Sequence, residues 1–203
     1  TKNMGIVVAS VEPAAAAGEA TRVTIHPRQS GTINVLLHGN LPEEELLHHP
    51  NGQTVLEGCY RRALTDLLPG GAAALRESIV LVEQAYFLPR LGVVSHRLGV
   101  QQAVLSTMLR QTFGCVTMDL PSKATRKACC RLLNIPPPPK GTRDHAGWKA
   151  WAPGAVETLV GPDVLRRLQP LTHHEADALL QLHAWLADKL GTTTALHYCT
   201  PPA

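Results

Sequence analysis

Aromatic residues are scarce. Three Trp, three Tyr and two Phe make up 4% of 203 residues, so Leu, Val and Ala must fill the core. Long apolar runs are missing too: none approaches the roughly 20 residues that cross a bilayer, which excludes a membrane-spanning helix. No signal peptide is visible. The five cysteines, Cys59, Cys115, Cys129, Cys130 and Cys199, contain no CxxC spacing. An odd count without a framework reads as reduced thiols in an intracellular protein. Those cysteines with His48, His49, His173 and His174 fit no standard zinc pattern. Charge of one sign is not in excess either. The formal net charge is +3 and the pI about 8.7, compatible with nucleic acid without arguing for it. No internal repeat is present. What remains is a chain with 44% hydrophobic residues, suited to one globular domain over residues 1–203.

Local patterns give an element order. Met4–Glu12, Thr21–His26 and Thr32–Leu37 are β-branched runs that read as strands of an antiparallel meander. The segment Gly39–Gly52, with three consecutive glutamates, reads as a loop or short acidic helix. Thr54–Leu68 has helical spacing and stops at Pro69-Gly70-Gly71. Ser78–Gln84 is nearly all apolar, as in a strand buried on both faces. A long helix over Ser95–Phe113, a strand over Gly114–Pro121 and a Ser-capped helix over Ser122–Asn134 come next. Pro136–Gly147 begins with four prolines and reads as a stiff linker. A weaker helix covers Ala155–Arg167. His173–Leu190 is plainly helical and stops at Gly191. Strand–helix–strand units imply parallel pairing with right-handed crossovers. An antiparallel meander continued by parallel strands and flanked by helices is a mixed α/β arrangement of ribonuclease H-like type.

Two places carry acidic groups where chemistry could use them. Glu83 comes after Ser-Ile-Val-Leu-Val at the carboxyl end of its strand, where open α/β sheets place their sites. Equally, the strand could end there and leave Glu83 to water. His174 and Asp177 are three residues apart on the last helix, so they share a face and make a workable divalent-cation pair. The same turn also reads as a capping box, with Thr172 as N-cap and Glu175 at the third helical position. Both readings can hold at once.

Four segments in order resemble RuvC-type Holliday junction resolvases. Leu81–Phe87 and then His96–Leu109 resemble the family motif in which a strand ends in Glu-Gln and leads to a Gly-containing helix. His174–Leu180, His-Glu-Ala-Asp-Ala-Leu-Leu, resembles the final motif, Asp/His-x-x-Asp-Ala-Leu. Thr1–Ser10 resembles the segment just after the first catalytic Asp in the branch found in poxviruses, other large DNA viruses and mitochondria. Asp119–Leu133 resembles the family's strand–Pro–Lys–helix segment. The chain departs from the pattern at one point. The family's first Asp would lie three residues before Thr1, and no Asp occurs before Asp66. A start without Met reads as a chain cut at its N terminus.

The resemblance implies a ribonuclease H-like fold and a Mg²⁺- or Mn²⁺-dependent endonuclease with two ions per site, resolving four-way DNA junctions. It implies Glu83, His174 and Asp177 as catalytic and metal-binding residues. It implies DNA contacts from Lys2 and Asn3 and favours them for Lys123, Arg126, Lys127 and Arg131, whose spacing puts them on one helical face that could equally be a solvated one, with Arg90, Arg97 and Arg110 as extensions. Such contacts position a backbone and do not read sequence. It further implies a homodimer, for which Leu98, Val104, Leu105 and Met108 are candidate interface residues or internal packing. The competing readings are a non-catalytic ribonuclease H-like module that binds branched DNA, and another nuclease of that superfamily.

Overall fold

The structure is a computed structural model that describes residues 2–16, 19–26, 31–35, 52–67, 71–76, 78–84, 92–142, 145–191 and 195–201. The stretch read as an acidic loop or helix lies outside the described residues but for Gly52, as do His48, His49 and Arg90. Strands β1 (Lys2–Ile6), β2 (Ala9–Glu12), β3 (Thr21–Ile25) and β4 (Gly31–Val35) come first. Helices α1 (Gly52–Leu67) and α2 (Gly71–Arg76), strand β5 (Ile79–Gln84), helix α3 (Val93–Gln111) and strand β6 (Val116–Pro121) come after them. The chain continues through α4 (Ser122–Leu132), α5 (His145–Leu168), α6 (His173–Leu190) and β7 (Leu196–Cys199). It is a mixed α/β protein. Among the described residues no helix is long and apolar enough to cross a membrane.

The chain divides into two compact units. The first holds residues 1–3 and 34–122. Its frame is a parallel ladder in which Ile79 faces Val116 and Gln84 faces Pro121. Helix α3 packs on both strands and on α1. Leu105, Met108, Leu109 and Phe113 all turn inward, at 8% exposure or less. They keep to helical spacing, and each fully buried apolar side chain contributes about 1.5–3 kcal/mol. The Cys115 thiol donates to the Leu109 carbonyl at 3.0 Å, closing the turn after α3. Leu105 and Met108 are therefore internal packing and not a dimer surface. The strand expected to be buried on both faces is not: Ile79 is 51% exposed and its partner Val116 is 61% exposed. Among the described residues the ladder has two strands, so its apolar edge meets water.

The second unit holds residues 4–33 and 123–203. Its mixed sheet has the order β2-β3-β7, with β2 antiparallel to β3 and β3 parallel to β7. Thr21, Val23 and Ile25 alternate onto the core face and are at most 2% exposed, as a period of two requires. The expected meander is found only for β2 and β3. The third expected strand, β4, pairs with β1, and β7 takes the place beside β3. Thr24 Oγ1 and Cys199 Sγ approach to 3.3 Å across the β3–β7 pair.

Helices α5 and α6 cover this sheet. Helix α5 begins ten residues before the expected Ala155 and breaks at Gly161, whose φ is 76° and ψ 165°. Pro162 then starts the second stretch, where a missing N–H costs nothing. The expected linker is partly anchored: Pro138 is buried, and Trp151 Nε1 donates to the Pro136 carbonyl at 3.0 Å. Ala176, Leu179, Leu180, Leu186 and Ala187 of α6 meet Val156, Val160, Val164 and Cys129 in one core. Burial pushes the Cys129 thiol up to about 12, with smaller contributions from Cys130 and the Asp177 charge, and the thiol donates to the Leu180 carbonyl at 3.2 Å. Cys115, Cys129, Cys130 and Cys199 are all free thiols.

Candidate functional site

Glu83 and Gln84 stand exposed at the carboxyl end of β5, opposite Leu120 and Pro121 of the parallel strand β6. This is where α/β sheets open toward ligands, because the strand ends there and the next segment must turn away. The strand grows more buried toward Val82, at 7% exposure, and then emerges abruptly at Glu83. Glu83 belongs to the first unit, and His174 and Asp177 to the second.

Of the two roles expected of the first turn of α6, the structure shows the cap. Thr172 and Glu175 form a complete capping box. The Glu175 amide donates to Thr172 Oγ1 at 3.2 Å, and Glu175 Oε2 accepts from the Thr172 amide at 2.8 Å and from its hydroxyl at 2.6 Å. Glu175 is 9% exposed and fully engaged in starting the helix. It is a cap. The next acid is placed differently. Asp177 accepts from Arg126 Nη2 at 3.2 Å, and each of these side chains is 18% exposed. The Arg126 guanidinium carbon also lies 5.7 Å from the ring centre of Trp148 on α5. One arginine thus joins α4, α5 and α6. The rings of His173 and His174 lie 3.9 Å apart at a tilt of 38°.

The expected basic stripe divides. Lys127 and Arg131 are exposed on α4, whereas Arg126 turns in to Asp177. The helical angle explains this, since Arg126 and Arg131 are about 140° apart around the axis. A stripe centred on Lys127 leaves Arg126 at its margin. Lys2 and Asn3 fall on β1, Arg97 and Leu98 on α3, and Lys123 on α4, but their side chains lie outside the described ones. Arg110 is exposed and donates to Thr117 Oγ1 in the first unit. Arg126 is the candidate residue whose setting the sequence pattern does not convey, because its partner Asp177 is 51 positions away.

The donors test the implied metals directly. Among the described residues, no three His, Cys, Asp or Glu side chains form a group that could hold a metal ion. Helix α6 offers one carboxylate and one imidazole one turn apart, and the carboxylate already carries a cation. A pair of divalent ions needs several oxygen ligands. As arranged, this corner does not fit them.

A second buried polar pair lies deeper in the same unit. His183 Nδ1 and the Tyr198 hydroxyl are 2.9 Å apart, at 9% and 6% exposure. Burial lowers the His183 pKa below its ordinary value and raises that of Tyr198. The pair ties α6 to β7 in the core.

No protein-family model, curated protein or solved structure matches the chain.

Proposed function

We propose that the chain is a ribonuclease H-like, RuvC-type nuclease of branched DNA, resolving four-way junctions by divalent-cation-dependent phosphodiester hydrolysis. The observation that best supports this is the placement of Glu83. An acid is exposed at the carboxyl end of a parallel strand, within a segment that resembles the family's Glu-Gln motif. In this reading Glu83 and Asp177 are the carboxylates on which cleavage depends, and His174 assists Asp177. Lys127 and Arg131 supply phosphate contacts from the exposed side of α4. A homodimer would match the junction's two-fold symmetry, one copy for each of the two nicks.

The requirement for Mg²⁺ or Mn²⁺ is not met by the described donors as they stand: no three of them cluster, and Arg126 is paired with Asp177. The same observation favours a second reading, a module that binds branched DNA without cutting it. Glu83→Ala separates the two. In the nuclease, the variant binds a four-way junction as tightly as the parent and loses Mg²⁺-dependent cleavage. Undiminished cleavage by Glu83→Ala would end the proposal, and so would equal affinity for a junction and a linear duplex of the same length.

A further inference from the structure

We propose that the outer edge of β7 is a docking site for an extended peptide of alternating acidic and apolar residues, which adds to the sheet as a further strand. The site lies wholly within the second unit and needs neither Glu83 nor Asp177, so it goes beyond the nuclease reading and does not depend on it.

Three observations converge on that edge. The first is the direction of the backbone. The Thr21 amide donates to the Ala195 carbonyl at 2.9 Å, and Thr21 is the register partner of Leu196. In a parallel ladder a residue bonds the two neighbours of its partner, so Ala195, His197 and Cys199 face β3 while Leu196 and Tyr198 face away from it. Among the described residues no strand lies on that side, and no backbone hydrogen bond comes from it. A row of open N–H and C=O groups is a template that another extended backbone matches. The second is space. Helix α5 breaks at Gly161, and a cavity of about 350 Å³ lies between the break and residues 197–200. His197 and Tyr198 point to opposite faces of the sheet, as successive strand residues must, yet both line this cavity. It therefore runs along the edge and not over a face. Val160 and Val164, both buried, give it an apolar side. The third is charge. On the outer face of the sheet His197 is the partner of Arg22, and Arg22 is the partner of Glu12. A strand added beside β7 continues this row, and an acid there gives His197 and Arg22 an oppositely charged neighbour. Arg167 adds positive charge at the cavity. It is exposed, and Nη1 donates to the Pro201 carbonyl at 2.9 Å, which holds the guanidinium in place and leaves its other N–H donors for a carboxylate. The acid on the cavity wall, Asp163, is already paired with Arg166. Side chains of an extended peptide alternate, so acidic residues meet these cations while apolar ones turn toward Val160 and Val164. A second copy of the chain fits less well, because a two-fold pairing of β7 edges sets one cationic rim against another.

The test is fluorescence anisotropy of the full chain with a fluorescein-labelled peptide, Glu-Val-Glu-Val-Glu-Val-Glu. The parent binds this peptide, and binds the same peptide with Lys in place of Glu about tenfold more weakly. An added strand turns only every second residue's amide toward β7. N-methylating that alternate set of amides weakens binding about tenfold, whereas methylating the other set leaves it within about twofold. On the protein side, Leu196→Pro removes one outward-facing amide, and an edge strand tolerates proline on its open side. The variant keeps the far-ultraviolet circular dichroism of the parent and binds the Glu peptide about tenfold more weakly. Arg167→Gln weakens the Glu peptide several-fold and leaves the Lys peptide unchanged. Should Leu196→Pro fail to fold, the two methylated peptides put the same question to the unaltered protein. No binding of the Glu peptide, equal binding of the Glu and Lys peptides, or an equal effect of methylating either set overturns the proposal. So does a parent that pairs with itself through this edge, seen by sedimentation as a dimer that Leu196→Pro makes monomeric.

Discussion

Removing the hydroxyl of Tyr198 tests how the second unit is held together. In Tyr198→Phe the ring still fills its place in the core, but His183 Nδ1 loses the partner it has at 2.9 Å. At 9% exposure the imidazole has little access to water in compensation. An unsatisfied buried polar atom costs about 1–3 kcal/mol. For a chain of this size that is a fall in Tm of about 2–12 °C. The pair also makes stability depend on pH. Burial lowers the His183 pKa below the ordinary value of 6.5, so the unfolded chain binds this proton more readily than the folded one. The stabilisation is complete above pH 6.5 and is lost as the pH falls below it toward the folded value, with a slope of at most about 1.4 kcal/mol per pH unit. Urea unfolding at pH 8 and pH 5.5, monitored by far-ultraviolet circular dichroism, measures both effects. The parent loses more stability on acidification than His183→Leu, which has no proton to take up at this position. If the two lose the same amount, or if Tyr198→Phe is as stable as the parent at pH 8, the buried pair does not do what its geometry implies.

Three further outcomes are expected. Leu179 is fully buried between α6 and its core neighbours, so Leu179→Ala lowers unfolding free energy by about 2–5 kcal/mol, read by urea denaturation. Thr172→Ala removes the hydroxyl that both caps the Glu175 amide and donates to its carboxylate, costing about 0.5–2 kcal/mol in the same assay; a variant as stable as the parent would refute the role of the cap. Lys127→Ala and Arg131→Ala each weaken junction binding and lower the slope of log affinity against log salt by about one, measured by fluorescence anisotropy across a salt series.

Much of this architecture is legible from local chemistry. Helix α6 is bounded by a capping box at Thr172 and Glu175 and by Gly191 at positive φ, and its apolar residues recur at helical spacing. Those signals lie within the segment itself, so the observed His173–Leu190 equals the expected span. The strand β5 and the emergence of Glu83 at its end come equally from a short apolar run that stops at a charge. Helix α5 is less visible because Pro153, Gly161 and Pro162 break its pattern, yet Ala152, Ala155 and Val156 are fully or nearly fully buried and packing overrides propensity. Strand β7 has four residues and is fixed by pairing with Thr21–Thr24, some 175 positions earlier, a partner no local pattern names.

The candidate site divides in the same way. The positions of Glu83, His174 and Asp177 at element ends are legible from periodicity alone. The partner of Asp177 is not. Arg126 sits in a run of basic residues that looks uniformly solvated, and only the approach of α4 to α6 shows that it turns inward. The resemblance names residue types in order along the chain and does not carry the charge that neutralises one of them.

The most direct measurement is cleavage of a mobile four-way junction in Mg²⁺ by the chain and by its Glu83→Ala variant. Paired nicks at symmetric positions in two opposing strands, lost in Glu83→Ala, are the predicted result. Tight junction binding with no nicks in Mg²⁺ or Mn²⁺ would contradict it and leave a module that holds branched DNA without cutting it.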